Sequence, residues 1–418
     1  MLASSLLAAV HTAALRAAEE GDPLLNSGHR LLGWPIIIVA AKALVVFVVL
    51  LIATMFMVWF ERKVISDMQA RIGPNRAGPW GLLQTLADGT KLLFKENLFP
   101  EQADRAVFRL APYLAVVPAF LTFCIIPIGD TISFGKHGRF ATHLQLADPP
   151  MGVLFSLAIS SVAIYGVMLA GWSSGSKYPL LGSIRASAQM VSYEAAMGLS
   201  LAAVVLASRS LRTQEIVANQ ADSFARWHLI ALGGVPAIIF AIAATAELNR
   251  PPFDLVEAEQ ELVGGFNTEY SSARFAFFFL AEFMNTITMS ALIVTLFLGG
   301  PTMPFSLPVL GSNSVVYFVI KLLVLLFTYV WLRGTLPRYR YDQLMDLGWK
   351  RLIPAALFWL LLIAAIRIDR KYLIPAGLAV AAAVGLLFLA MRAGRRTSEA
   401  ELADVNAKML STGRPGRF

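Results

Sequence analysis

Carboxylates and arginines set among apolar residues are the groups in this chain that could do chemistry. Ala246-Glu247-Leu248-Asn249-Arg250-Pro251-Pro252-Phe253-Asp254 closes one apolar run, and Leu255-Val256-Glu257-Ala258-Glu259-Gln260-Glu261 follows it. On a helix, Asp254, Glu257 and Glu261 fall at i, i+3 and i+7 and line one face, with Glu259 turned elsewhere. Carboxylates so close cannot all ionise freely, so some titrate nearer neutrality, as a proton path requires. Glu194 and Glu282 lie inside other apolar runs and Glu247 at the end of one. An acid there is costly unless paired or functional. A structural pair, such as Glu282 with Lys321, competes with a polar route through half a membrane; three such acids beside an acidic cluster favour the route.

A second charged group follows the first apolar run. Trp59-Phe60-Glu61-Arg62-Lys63 leads to Gln69-Ala70-Arg71-Ile72-Gly73-Pro74-Asn75-Arg76, where Gly-Pro-Asn marks a tight turn. An interfacial aromatic followed by stop-transfer charges accounts for Trp59 and Lys63 but poorly for Glu61. From Gly81 to Lys95 the pattern is that of an amphipathic helix. Gln84, Asp88, Lys91 and Lys95 form its polar stripe, and such a helix suits a membrane surface. Near the end, Arg333-Gly334-Thr335-Leu336-Pro337-Arg338-Tyr339-Arg340-Tyr341-Asp342 mixes cations and aromatics. Snorkelling side chains explain most of it, and docking of an acidic soluble partner is the functional alternative.

The elements that must position these groups are membrane helices. Of 418 residues, 57% are hydrophobic and 15% charged, against about 25% charged in a soluble domain. The expected fold is an all-α polytopic membrane protein of about nine transmembrane helices, each near the ~20 residues that cross a bilayer. They are placed at 35–60, 109–128, 151–171, 188–207, 228–248, 273–298, 312–336, 353–369 and 373–391, the fourth interrupted by Ser192, Tyr193 and Glu194. This divides the chain into an N-terminal extension (1–34), a main transmembrane domain (35–369), an extra helix (373–391) and a tail (392–418).

Alternate connections, with the tail, hold 23 of the 35 Lys and Arg; the opposite set holds 10, and Lys42 and Lys321 lie within spans. Basic loops stay inside, which puts the N-terminus outside and the tail in the cytoplasm. The net charge of +8 is therefore loop charge and not a nucleic-acid footprint. One cysteine, Cys124, can hold neither an internal disulfide nor an iron–sulfur cluster. The five histidines offer no membrane pair for haem. No metal site, strand pattern or nucleotide-binding motif is evident.

Taken in order, Glu61-Arg62-Lys63, Gln69 to Asn75, Ala87-Asp88-Gly89-Thr90-Lys91, Lys95-Glu96, Ser192-Tyr193-Glu194, Ala246 to Asp254, Glu257-Ala258-Glu259, Glu261-Leu262, Glu269-Tyr270 and Pro337 to Asp342 resemble the H subunit of bacterial respiratory complex I, known in mitochondria as subunit 1. The resemblance covers about 35–369. It implies a bacterial plasma-membrane subunit forming much of a quinone tunnel. Its partners would be peripheral-arm subunits carrying the quinone headgroup site and terminal iron–sulfur cluster, together with antiporter-like membrane subunits. Quinone would be a substrate, NADH oxidation would occur on another polypeptide, and this chain would hold no redox centre.

Carried over by residue, Glu61, Arg62, Asp88, Lys91, Arg250, Asp254, Glu257, Glu259 and Glu261 would line or charge the quinone cavity. Glu194, Glu247 and Glu282 would form the proton route, and Arg338 and Arg340 would seat the peripheral arm. The ninth apolar run and the N-terminal stretch depart from the family pattern. Two other functions remain open: the membrane anchor of an energy-converting hydrogenase, which needs no quinone tunnel, and a free-standing proton or cation transporter.

Overall fold

The computed structural model describes residues 34–134, 140–221, 223–254, 263–303 and 314–368. The chain divides into two units, Met1–Trp359 and Leu360–Phe418. In the second, the described residues Leu360–Ile368 are the end of a helix. The extension before Trp34, the expected span at 373–391 and the tail lie outside the described residues.

Helix α1 (Trp34–Met68) is apolar, with Pro35 beside its first residue. Proline is tolerated there because its missing N–H has no partner in the first turn. Its 35 residues span about 52 Å at 1.5 Å each. The helix therefore runs past a ~30 Å hydrocarbon layer and carries Glu61, Arg62 and Lys63 on its projecting end. There α2 (Gln84–Phe94) docks beside it through Thr85, whose hydroxyl donates to Met55 O at 3.2 Å.

Helix α3 (Arg105–Phe123) begins on Asp104, which accepts from the amides of Ala106 and Val107, and contains Pro112 and Pro118. A proline frees the carbonyl four residues earlier. For Pro112 that carbonyl is Phe108 O, and the Tyr270 hydroxyl donates to it at 3.3 Å. A hairpin, β1 (Gly129–Phe134) antiparallel to β2 (Phe140–Leu144), then leads to α4 (Gly152–Ser173). The hairpin departs from the sequence expectation of no strand. The alternation in Thr131-Ile132-Ser133-Phe134 is too short to stand out beside 20-residue apolar runs.

Helix α5 (Lys177–Ser208) is longer than the expected 188–207. The polar triplet does not break it because each side chain finds a partner. Ser192 donates to Ala188 O at 2.6 Å, Tyr193 to Leu344 O at 2.9 Å, and Glu194 accepts from Ser160 and Ser161.

After the short α6 (Thr213–Ala218), the expected span 228–248 is broken. A single turn, His228–Ala231, ends at Gly233 and Gly234, whose φ values are 73° and 77°. Helix α7 (Val235–Glu247) follows. Glycines supply the left-handed backbone and Pro236 suits a helix start. At 13 residues, α7 is about 20 Å long, short of the hydrocarbon thickness.

Helices α8 (Ser272–Phe297) and α9 (Ser314–Thr335) match expectation. The last span is a continuous stretch, Tyr341–Ile368. It comprises α10 (Tyr341–Leu347), a wide π turn at Gly348–Leu352 and α11 (Ile353–Ile368).

Seven described helices are long and apolar enough to cross a membrane, and the chain is an all-α polytopic membrane protein. Helix α8 is the hub. In its most apolar stretch 72% of residues are buried, against 11% in α1. One core joins Leu50 and Met57 of α1 to Phe283, Met284 and Ile287 of α8 and Phe318 and Leu326 of α9. Another joins Phe108 and Ala111 to Ala186, Met190, Phe266 and Phe278.

Gly166 lets α4 approach the α3 backbone. A Cβ there would lie 2.9 Å from Ala115 N and 3.1 Å from Ala111 O, whereas one at Gly198 would meet nothing within 4 Å. Backbone cannot yield as a side chain can. Gly166→Val is expected to destabilise by about 1–3 kcal/mol or more. Gly198→Ala should be neutral to slightly stabilising. Thermal inactivation of detergent-solubilised protein checks both.

Candidate functional site

Four charged side chains from four segments converge behind the projecting end of α1. Arg250 Nη1 donates to Glu61 Oε2 at 2.8 Å, and Arg250 Nε lies 3.0 Å from Glu282 Oε1. Arg333 Nη1 pairs with Glu61 Oε1. The Glu282 contact is an ion pair without hydrogen-bond alignment, since Arg250 Nε and Nη2 are enclosed and lack hydrogen-bond partners. The Phe283 ring covers Arg250, 4.2 Å from Cζ. Glu61 and Arg250 are each 7% exposed in their side chains. Two acids and two arginines make the cluster neutral, as desolvated charges require. A void of about 10 Å³ between Arg250, Thr286 and Tyr329 has room for about one water.

Local structure aims Arg250 at this point. Helix α7 ends with Asn249 at φ 50°, and the chain turns through Pro251-Pro252. Gln189 of α5 holds the turn, donating to Ala246 O at 2.8 Å and Phe253 O at 3.0 Å. From the other side Tyr339 N donates to Pro252 O at 3.0 Å. Buried Asp254 accepts from Arg338 at 3.1 Å, so these two residues clamp the turn to the segment after α9.

Glu282 also faces a cavity of about 80 Å³, whose polar lining includes Glu247, Asn249, Asn267, Asn285 and Ser160. By the volume one water needs, it has room for about five. Glu247 is 2% exposed and its Oε2 has no hydrogen-bond partner. Ser160 lines the cavity and donates to Glu194 Oε1 at 3.4 Å, with Ser161 donating to the same oxygen. Polar groups therefore run from Glu61 through Arg250 and Glu282 to Glu247, and through Ser160 to Glu194.

Arg62 and Asp88 stand apart from this line. They pair at 2.5 Å while about a third or more exposed, and Gln84 donates to Asp88 at 3.0 Å. Burial pushes the Asp88 carboxyl up, but the hydrogen bonds from Arg62 and Gln84 and the charges of Arg62 and Lys91 outweigh it and hold it below its usual range. Exposed Lys91 sits on the same surface. Arg340, 78% exposed, pairs with Asp342 at 3.1 Å. Glu257, Glu259 and Glu261 lie outside the described residues.

The pair suggested between Glu282 and Lys321 does not form. Lys321 Nζ donates to Leu298 O, Gly300 O and Thr302 O at 2.7, 2.9 and 2.7 Å. It lies instead at the far end of α8, where a cation suits the C-terminal carbonyls. Sequence reasoning missed Gln189, Arg333, Asn267 and the Ser160-Ser161 pair. A glutamine at the edge of an apolar run was a signal; Arg333 looked like an ordinary snorkelling residue.

Glu61, Glu194, Glu247 and Arg250 of this line lie in segments that carry the family resemblance. A family described as NADH dehydrogenase matches residues 41–364. The chain belongs to the NADH dehydrogenase family. It is 51% identical over 361 residues to the H subunit of NADH-quinone oxidoreductase from Frankia casuarinae, covering 85% of this chain and 78% of that one. The same subunit of Frankia alni is 49% identical, over 90% and 84% of the two chains. That of Streptomyces avermitilis is 50% identical, over 80% and 74%.

Removing Arg250 leaves two acids of the cluster with one arginine. Arg250→Gln is expected to destabilise by about 3–5 kcal/mol, with partial recovery when Glu61→Gln is added. A double-mutant cycle on thermal unfolding of the solubilised protein measures the coupling. For Asp88 the lowered value means its pair contributes at neutral pH and is lost only as pH falls through that value. Asp88→Asn should therefore cost at most about 1 kcal/mol at pH 7 and converge with the parent protein in acid, as a pH series of unfolding midpoints would show.

Proposed function

We propose that this chain is the membrane subunit of a bacterial proton-translocating NADH-quinone oxidoreductase in which the line from Glu61 to Glu194 begins the proton route. The observation that carries this is the neutral Glu61–Arg250–Glu282–Arg333 cluster continuous with a polar cavity that Glu247 faces. Adding electrons to a quinone creates demand for protons and a transient negative charge nearby. Arg250, held between two acids, responds to such a charge by weakening its hold on one of them. The released acid then exchanges a proton with waters of the cavity. Glu247 and Glu194 face asparagines, serines and cavity space without a cation partner among the described residues, an arrangement suited to taking up and passing on a proton.

The cavity's size fits waters and not a quinone ring. The quinone passage is therefore assigned to the surfaces around α1, α2 and the turn at 250–254, completed by other subunits. Arg62, Asp88 and Lys91 belong to that surface, with buried Asp254 behind it, and the passage is taken to include Glu257, Glu259 and Glu261 on the family resemblance alone. Neighbouring subunits would carry the quinone headgroup site and iron–sulfur cluster, and antiporter-like subunits would receive the proton signal. Arg340 and the clamp made by Arg338 face the peripheral side. The N-terminus lies outside and the tail in the cytoplasm.

Glu247→Gln and Arg250→Ala are each expected to lower NADH-driven quinone reduction and proton pumping about tenfold or more, a barrier raised by at least about 1.4 kcal/mol. Reduction of an artificial acceptor by NADH should be kept, because it bypasses the membrane arm. Quinone reductase rates unchanged in both variants would remove the proposed route. Purification of a colourless single polypeptide lacking flavin and iron–sulfur absorbance would remove the subunit assignment itself.

A further inference from the structure

Arg109 of α3 and Arg274 of α8 meet at one aromatic ring. Arg274 Cζ stands 3.7 Å from the centroid of Phe99 and 5.6 Å from that of Phe108, and Arg109 Cζ is 5.3 Å from Phe99. Phe99 lies in the segment between α2 and α3, on the side that carries the basic loops. No carboxylate among the described residues pairs with either arginine, and Nη1 of Arg274 is enclosed without a hydrogen-bond partner. Ring faces offset part of this charge but cannot neutralise two guanidinium groups brought to one ring.

Apolar surface begins immediately beneath. Tyr113, four residues after Arg109, and Phe277, three after Arg274, touch with ring centroids 5.5 Å apart. These spacings place each aromatic one turn along its helix from its arginine. On α3, Leu110, Tyr113 and Val117 are 51%, 54% and 49% exposed, an open strip about 12 Å long from Arg109 toward the membrane interior. Two uncompensated cations and an apolar strip are thus continuous on one outward face.

We propose that Arg109 and Arg274 bind the phosphate of an anionic phospholipid of the inner leaflet, with an acyl chain lying along Leu110, Tyr113 and Val117. Guanidinium groups match phosphate oxygens by paired N–H donors. Basic side chains between membrane helices on the cytoplasmic side are suited to anionic headgroups. An isolated snorkelling arginine would gain nothing from sharing a ring with a like charge. An acidic side chain of another subunit could meet the charges but would leave the apolar strip beneath them unexplained. The site is independent of the proposed proton route.

The test uses the intact assembly in native membranes loaded with a photoactivatable phosphatidylglycerol or its phosphatidylcholine counterpart. The phosphatidylglycerol analogue should label the 105–123 segment preferentially, with competition by unlabelled phosphatidylglycerol and none from inorganic phosphate. At about one charge's worth of attraction per arginine, Arg109→Gln or Arg274→Gln should lower labelling about fivefold and the pair about thirtyfold. Arg109→Lys should retain most of it. Equal labelling by the phosphatidylcholine analogue, or loss of labelling to inorganic phosphate alone, would overturn the proposal. So would labelling seen only after the subunits are dissociated, which would identify a protein acid as the occupant. Should the double variant fail to assemble, competition on the parent protein and the single variants decide the matter.

Discussion

The need of one desolvated guanidinium for counter-charge organises this bundle. Arg250 leaves a turn, not a helix, and its charge is met by Glu61 at the projecting end of α1 and Glu282 in the central α8. Arg333 from α9 gives Glu61 a second arginine, so that two cations match the two acids. Removing any one member would unbalance a largely enclosed cluster, so α1, α8, α9 and the turn after α7 are fixed in register together. Buried ion pairs seldom add net stability over apolar packing. Their service here is specificity, since an apolar residue at 250 could slide along the groove and an arginine between two glutamates cannot.

The acids fall into two environments. Glu61 and Glu282 face arginines. Glu194 faces two serines, and Glu247 faces a cavity with one oxygen left over. A route needs both kinds. Groups held by fixed charge sense a change in potential, while groups solvated by hydroxyls and water can alter their protonation without leaving a bare ion. Glu282 borders both, and its contact with Arg250 is close but poorly aligned. A contact of that kind is easier to exchange than the well-formed bond from Arg250 to Glu61.

Most spans are legible because hydropathy and length alone identify a membrane helix. The exceptions have local causes. Hydropathy carries the fifth span through Gly233-Gly234, since a window averages over two glycines whose positive φ stops the helix. It starts the fourth late because Lys177 and Arg185 read as loop charge, and Ser192, Tyr193 and Glu194 look like interruptions within it until their partners on α4 and α10 are known. The same limit applies to the site. Glu61, Arg250 and Glu282 stand out as charges in apolar sequence, yet Glu61 and Arg250 pair across 189 residues of chain. Lys321 suggests itself for Glu282 because both lie in spans, but position along the helix axis, which a residue type does not reveal, decides which charges meet.

That axial position also gives the bundle its polarity. Beyond the cavity, α8 continues through Ile287, Ala291, Leu292, Val294, Leu296 and Phe297, all buried and apolar. Its far end is closed by Lys321 bonded to three carbonyls. The acid of the hub helix therefore lies toward the half that bears the basic loops, and the opposite half carries only apolar and hydroxyl side chains. Farther along α8 from the cavity there is no carboxylate, only the hydroxyls of Thr288, Ser290 and Thr295, which donate to carbonyls of their own helix. A chain built this way carries no second acid along its central helix. It is suited to receiving a charge change at one face and handing it to a neighbour within the membrane plane.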